Sequence, residues 1–286
     1  MDGPSALLFG VLIPAVIAGI VLLVSGRRAR AEPEAPRPVA GALALGAGYL
    51  AAHALLVGVP PVPGPDVTIP FLGWIFWMAA GAVLLAPLRA APVVARFGNA
   101  FYVALFSILP YHLIRQPGPA PAALDFGGFG GVLLAYALWT ATERLAHRRP
   151  GPALPAALWA ACAGTAAMVL ANASASLAQL VGSLAAGLGA AVVVALLVRG
   201  AHLASGAIAI LAVVVASAVR LAIVYDLPTV CWVLVACAFA GPWLGEIQSL
   251  RARSPFLAGA VAFLAALLPA AAAAYLAFDA RPASAY

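Results

Sequence analysis

Charge is the scarcest property of this sequence. Charged residues make up 8% of its 286 positions, lysine is absent, and all fifteen basic residues are arginine. A soluble domain carries about 25% charged residues, so this composition excludes an ordinary soluble fold. The net charge of +6 comes from the arginine excess, which in so apolar a chain reflects membrane topology, and nucleic acid is therefore not an expected partner.

Cysteine is also rare. The three cysteines, Cys162, Cys231 and Cys237, are odd in number and form no CxxC pair. Disulfide frameworks need paired cysteines, and structural zinc sites need several ligands close together. We therefore expect no disulfide and no metal site. Because all three lie inside apolar runs, we expect them to act as small buried hydrophobes.

Several catalytic motifs are missing. The chain has no HExxH, no GxSxG and no pair of carboxylates within an apolar run, which are patterns that supply metal ligands, nucleophiles or acid–base pairs. Its longest polar connection covers only residues 26–38, so no soluble domain is expected. Enzymatic activity is not predicted, and an enzyme acting on a lipid-linked substrate ranks third among the candidate functions.

Long apolar segments are abundant, since hydrophobic residues make up 65% of the chain. Charged and proline-rich breaks divide it into segments of the roughly 20 residues that a bilayer requires. The sequence therefore predicts an all-α polytopic membrane bundle, with residues 1–286 as a single transmembrane domain. The ten predicted spans are 5–25, 39–59, 69–88, 97–114, 125–142, 153–172, 176–198, 203–225, 228–247 and 255–278.

Arginine positions predict the orientation, because cytoplasmic loops carry the positive excess. With the N-terminus outside, twelve of the fifteen arginines fall on the cytoplasmic side. An even number of spans then places the C-terminus outside as well. Together with the alanine-rich, arginine-only composition, this indicates a bacterial inner membrane.

Two short stretches suggest an internal repeat. "PYHLIRQ" at 110–116 and "PWLGEIQ" at 242–248 share proline, aromatic and glutamine positions five spans apart. An odd separation would make the repeat inverted, as in many secondary transporters. The corresponding hypothesis is a five-plus-five repeat of residues 1–142 and 153–286.

The stretch "ASAVRLAIVYD" at 216–226 places Arg220 inside the eighth span. At about 100° per residue, small and polar residues share one side of this helix with Arg220, and bulky aliphatic residues share the other. We expect the polar side to face protein and the aliphatic side to face lipid. The polar side holds His202, Ser205, Gly206, Ala209, Val213, Ala216, Ser217 and Arg220, and the aliphatic side holds Ile208, Ile210, Leu211, Val214, Val215 and Val219.

The seventh span has a matching polar side, and a short turn joins it to the eighth. Short connections favour antiparallel neighbours, so the two polar sides are expected to meet in the outer half of the bilayer. The predicted solute-binding residues are Arg220, Ser217, Gln179 and Ser183, with Asn172 and Ser176 near the mouth.

Two environments are open for Arg220. Its long stem would allow the guanidinium to reach the outer headgroups. If the group is buried instead, it needs an anionic or carbonyl partner, and Asp125 and Asp66 on other segments are the acidic candidates. Asp226 is a poorer partner, because six residues place it about 120° away around the same helix.

A buried guanidinium favours an anionic or carboxylate-bearing solute. The leading functional hypothesis is therefore a secondary transporter or permease for a small polar or anionic solute. The alternative is a non-catalytic membrane subunit that scaffolds a larger complex through its small-residue faces. Expected partners are the lipid bilayer and either other membrane proteins or a second copy of the chain.

His53 and His112 fall in the outer halves of their spans, which raises the question of a haem held by two imidazoles. A lone histidine in a membrane helix more often bonds a neighbouring helix. We therefore predict no cofactor.

The predicted orientation can be checked with single cysteines, introduced after the three native ones are removed. Cysteines replacing Asp66, Asp125 or Asp226 should react with an impermeant thiol reagent in intact cells, whereas cysteines replacing Glu34, His147 or Arg251 should not. The reverse pattern would invert the orientation.

Overall fold

A computed structural model describes residues 3–31, 38–63, 70–90, 97–98, 136–146, 151–172, 174–198, 203–224 and 227–280. Within these ranges every regular element is a helix. The α-helices are α1 (Gly3–Leu7), α2 (Ile13–Ala31), α3 (Pro38–Leu56), α4 (Phe71–Leu84), α5 (136–146), α6 (Ala153–Asn172), α7 (Ala175–Leu197), α8 (Ala204–Val224), α9 (Thr229–Ala240), α10 (Gln248–Arg253) and α11 (Pro255–Asp279).

Seven described stretches are long and apolar enough to cross a membrane. They match the first, second and sixth to tenth predicted spans, so the prediction of an all-α, multi-pass membrane protein is confirmed at this level. The seven are Pro4–Arg27, Val39–Leu56, Ala153–Asn172, Ala175–Leu197, Gly206–Ile223, Thr229–Glu246 and Pro255–Asp279.

The third, fourth and fifth predicted spans are not among these seven stretches. The third, predicted over 69–88, is the shorter apolar helix α4, followed by a 3₁₀ turn over Ala86–Ala90. The fourth lies outside the described residues apart from 97–98, and the fifth contributes only the helix at 136–146. The number ten, the orientation and the inverted repeat therefore stay predictions.

Glycine contacts give the relative directions of the helices. Gly41 lies against Leu203, and Gly46 lies against Ile210, so α3 and α8 run parallel. Equivalent contacts make two further pairs parallel. Gly10 with Gln179 and Gly19 with Ala190 align α2 with α7, while Gly164 with Ala270 and Gly259 with Ala153 align α6 with α11.

Helix α8 lies at the centre of the bundle, and this corrects the prediction that its aliphatic side faces lipid. Ile210 and Val214 are 0% exposed, and Ile208, Leu211 and Val215 are also buried. Helices α3 and α4 pack on α8, and α6 and α7 contact it as well. A helix that is apolar on all sides is expected to be buried, and sequence periodicity alone cannot distinguish a lipid neighbour from an apolar protein neighbour.

The expected close pairing of α7 with α8 is also corrected. Helix α7 packs mainly against α6 and α2, whereas α8 packs mainly against α3. The physical reason is the small surface of α7, where Gly187 accepts Ala18 of α2 and Leu45 of α3. A short turn constrains only the ends of two helices, and small residues decide which backbones approach along their lengths.

Prolines change the local helix type without ending the spans that contain them. Pro14 follows a π-helical turn over Leu8–Leu12, and Pro242 lies in a 3₁₀ turn over Gly241–Glu246. Pro269 lies inside the continuous helix α11. Wider or tighter turns accommodate the missing N–H and the bulky ring of proline.

The cysteines separate into two environments. Cys162 and Cys231 are buried as predicted, whereas Cys237 is exposed on the outside of the bundle, so the prediction was wrong for that residue. All three are free thiols. An apolar run in a membrane protein has a lipid-facing side, and Cys237 lies on it.

Gly164→Ala should destabilise the protein, because a methyl group there would lie 2.9 Å from the Ala270 carbonyl oxygen. Overpacking of this kind costs about 1–3 kcal/mol. Gly182→Ala is the matched control, since nothing lies within 4 Å of a methyl group at that position. Thermal unfolding in lipid would show a lower midpoint for the first variant only, and equal midpoints would contradict the close α6–α11 contact.

Candidate functional site

Three buried polar side chains lie on α3 and α8 at positions that helix periodicity places toward the contact between the two helices. Ser217 is two helical turns beyond Ile210, and His53 is two turns beyond Gly46, so both remain on the sides where these parallel helices touch. Tyr49 precedes His53 by one turn. The exposed fractions are 0% for Tyr49 and 1% for His53 and Ser217. We call Tyr49, His53 and Ser217 the α3–α8 cluster.

Two hydroxyl groups of this cluster are unpaired. Among the described residues, neither Tyr49 Oη nor Ser217 Oγ has a hydrogen-bond partner, although both atoms are buried. Burying a hydroxyl without a partner typically costs a few kcal/mol, and the interior of a bilayer has no water to replace the missing bond. Burial of these two hydroxyls therefore lowers the stability of the fold.

His53 is the fixed member of the cluster. Its Nδ1 lies 3.2 Å from the Gly58 carbonyl oxygen, and its Nε2 lies 3.0 Å from the Leu72 carbonyl oxygen. A neutral imidazole carries one N–H, whereas an imidazolium donates to both carbonyls. The ring also packs 5.0 Å from the Phe76 ring, centroid to centroid. His53 therefore joins the end of α3 to the start of α4.

This arrangement bears on the haem question. Both ring nitrogens of His53 face carbonyl oxygens, so iron ligation would require one of these contacts to break. His112 lies outside the described residues. Within the described ranges no group of three histidine, cysteine or acidic side chains could hold a metal ion. The absence of cofactor and metal stays a prediction.

Arg220 is half-buried, one turn beyond Ser217 on α8. It lies about 200° around the helix from Ala222, whose carbonyl oxygen accepts a hydrogen bond from Asn172 at 3.1 Å. Arg220 therefore points away from α6. Among the described residues it has no ion-pair partner, and its predicted partners Asp125 and Asp66 lie outside them.

The other predicted site residues lie at separate interfaces. Gln179 packs against Gly10 at the start of the bundle. Ser183 is 1% exposed, and its hydroxyl donates to the Leu180 carbonyl oxygen of its own helix at 2.7 Å. Ser176 is half-buried in the first turn of α7. The structure brings Asn172 to α8.

The sequence analysis did not identify Tyr49. It discussed His53 only as a ligand of a haem that it did not predict. A signal was present, because "YLAAH" at 49–53 places two polar rings one turn apart within an apolar run. Polar residues within a membrane helix face the protein interior by default.

A shallow groove of about 510 Å³ lies at the opposite end of the bundle, lined by Glu246, Gln248, Arg251 and Ala252. Arg251 Nη1 and Glu246 Oε2 are 3.4 Å apart there, with both side chains partly exposed. Exposed ion pairs of this kind contribute little to stability. An exposed ion pair is ordinary at a connection between helices.

The chain matches no protein-family model, no curated protein and no solved structure. Its function is therefore argued from its own residues.

His53→Phe should lower stability, because the phenyl ring keeps the packing on Phe76 but removes the ring N–H that a neutral imidazole can donate to the Gly58 or the Leu72 carbonyl oxygen. The expected loss is about 1–3 kcal/mol. Trp77→Phe is the control, since it removes a solvent-exposed bond to the Pro61 carbonyl oxygen at 2.9 Å, and it should cost less. Equal midpoints for the two variants would show that the buried bonds of His53 are not important.

Proposed function

We propose that this protein is a secondary transporter or permease for a small polar or anionic solute. The observation that carries the proposal is the position of Arg220, half-buried on the central helix and without an ion-pair partner among the described residues. The α3–α8 cluster, with its unpaired buried hydroxyls, begins one turn away. Together they supply a cation and hydrogen-bond donors within membrane-spanning helices.

The chemistry of arginine favours an anion. Its guanidinium remains protonated at any depth and presents a planar set of donors that fits carboxylate and phosphate oxygens. A charged group within a membrane helix is costly, so it is usually found where it serves a solute or ion pathway. A solute with an oxyanion group would provide the missing counter-charge.

The scaffolding alternative relied on open small-residue faces. Several such positions among the described residues are occupied by neighbours within the chain, although nothing lies within 4 Å of a methyl group at Gly182. Gly164 contacts Ala270, Gly187 contacts Ala18, and Gly241 lies against the backbone of α11. These faces stabilise the bundle itself, which favours the transporter over the scaffold.

We also propose that the chain crosses a bacterial inner membrane ten times, with both termini outside. Leu72 faces His53 and Val83 faces Gly46, so α4 runs antiparallel to α3. The bond from Asn172 to Ala222 makes α6 parallel to α8, and hence to α3. Helix α4 thus ends on the side where α6 begins, which supports an even number of crossings between them, two in this proposal.

A small oxyanion should stabilise the wild type but not Arg220→Met. Purified protein would be heated with sodium acetate, succinate or phosphate, with sodium chloride at the same ionic strength as reference. A ligand at one hundred times its Kd stabilises by about 2.7 kcal/mol, which is readily seen as a higher thermal midpoint. The stabilising anion should also accumulate in proteoliposomes.

Arg251→Met is the control, because Arg251 lies on the groove remote from α8 and its loss should leave the shift intact. A shift that persists in Arg220→Met would remove the arginine from the binding site. Absence of any shift with all three anions would count against an anion transporter.

A further inference from the structure

Three buried hydroxyls among the described residues bond to their own helix. Thr142, Thr165 and Ser183 donate to carbonyl oxygens three or four residues earlier, at 2.7, 2.8 and 2.7 Å. This local bond is the usual way to satisfy a hydroxyl in an apolar helix. A hydroxyl that does not make it, in the same surroundings, is therefore distinctive.

Ser217 and Tyr49 are such exceptions. Ser217 Oγ does not bond the preceding turn of α8, and Tyr49 Oη has no acceptor although the whole side chain is buried. Thr140 on α5 is a further unpaired hydroxyl, but most of the chain that precedes it lies outside the described residues. Ser217 and Tyr49 belong to facing sides of α3 and α8, so their donors share one interface.

We propose that the hydroxyls of Tyr49 and Ser217 bind the oxyanion oxygens of the solute, with Arg220 as the counter-charge. Arg220 follows Ser217 by three residues, which places it about 4.5 Å further along α8 and about 60° around it. Both ring nitrogens of His53 are already engaged with carbonyl oxygens, so His53 positions α3 and α4 without contacting the solute. The inference rests on the proposed transport function and names the donors that would recognise the solute.

Thiol accessibility tests whether a small anion reaches this interface. The native cysteines would be replaced by alanine, and Ser217→Cys and Val215→Cys prepared separately in lipid nanodiscs. Val215 is the matched control, because it is also buried but lies about 200° around α8. The probe is the anionic reagent sulfonatoethyl methanethiosulfonate, and mass spectrometry follows the rate of modification.

The thiol at position 217 should react at least about tenfold faster than the thiol at position 215, a ratio that corresponds to about 1.4 kcal/mol. Equal rates, or no reaction at either position, would overturn the inference. This readout does not require transport. If the thiol at 217 reacts fast but no anion stabilises the protein, the result would support an accessible polar site. It would count against the proposed transport function.

Removal of the hydroxyls gives a second test. Tyr49→Phe and Ser217→Ala each delete an unsatisfied buried group, so without solute the thermal midpoint should stay the same or rise by about 2–4 °C. With the stabilising anion, both variants should lose most of the midpoint shift seen in the wild type. Thr165→Val, which removes a hydroxyl satisfied within its own helix, should keep that shift. An intact shift in Tyr49→Phe and Ser217→Ala would overturn the assignment.

Discussion

The close approach of α3 to α8 is the contact on which the rest of the arrangement depends. A methyl group at Gly41 would overlap the Leu203 carbonyl oxygen and lie 3.1 Å from Ala207 Cβ. Only glycine permits two backbones to come this close. The contact fixes the register of the two helices, and helix periodicity then places His53 level with Ser217 and Tyr49 one turn earlier. It also places α8 inside the bundle, where Arg220 cannot be surrounded by lipid alone.

Lipid adds a second constraint, since it offers no hydrogen-bond partner. The helices satisfy their backbone groups internally, and Thr165 and Ser183 satisfy their hydroxyls on the same helix. Asn172 reaches across to the backbone of α8, and His53 reaches to α4. Against this background the unpaired hydroxyls of Tyr49 and Ser217 require an explanation that packing does not provide.

Hydropathy predicted the fold class because span length and apolar composition are local properties of the chain. The site was predicted less well. The polar side of one helix made Ser217 and Arg220 candidates, and their neighbour was expected to be the next helix in sequence, whereas α8 packs mainly against α3. Which helices meet depends on small residues such as Gly41 and Gly187, whose partners lie far away in the chain. The YLAAH pattern marks Tyr49 as a polar ring in an apolar run, but the lack of a described partner for its hydroxyl is a property of the folded bundle.

The arginine at position 220 gives the central helix a permanent positive charge. A buried lysine can lose its proton and become neutral, whereas a guanidinium retains its charge and must be stabilised by something close to it. The side of α8 turned toward α6 is occupied by the bond between Asn172 and Ala222, and Arg220 lies on the opposite side. The anion that stabilises it must therefore approach from the side turned away from α6, as an acidic side chain, a headgroup or a solute. Under the proposed function, a solute would also accept hydrogen bonds from the hydroxyls of Tyr49 and Ser217.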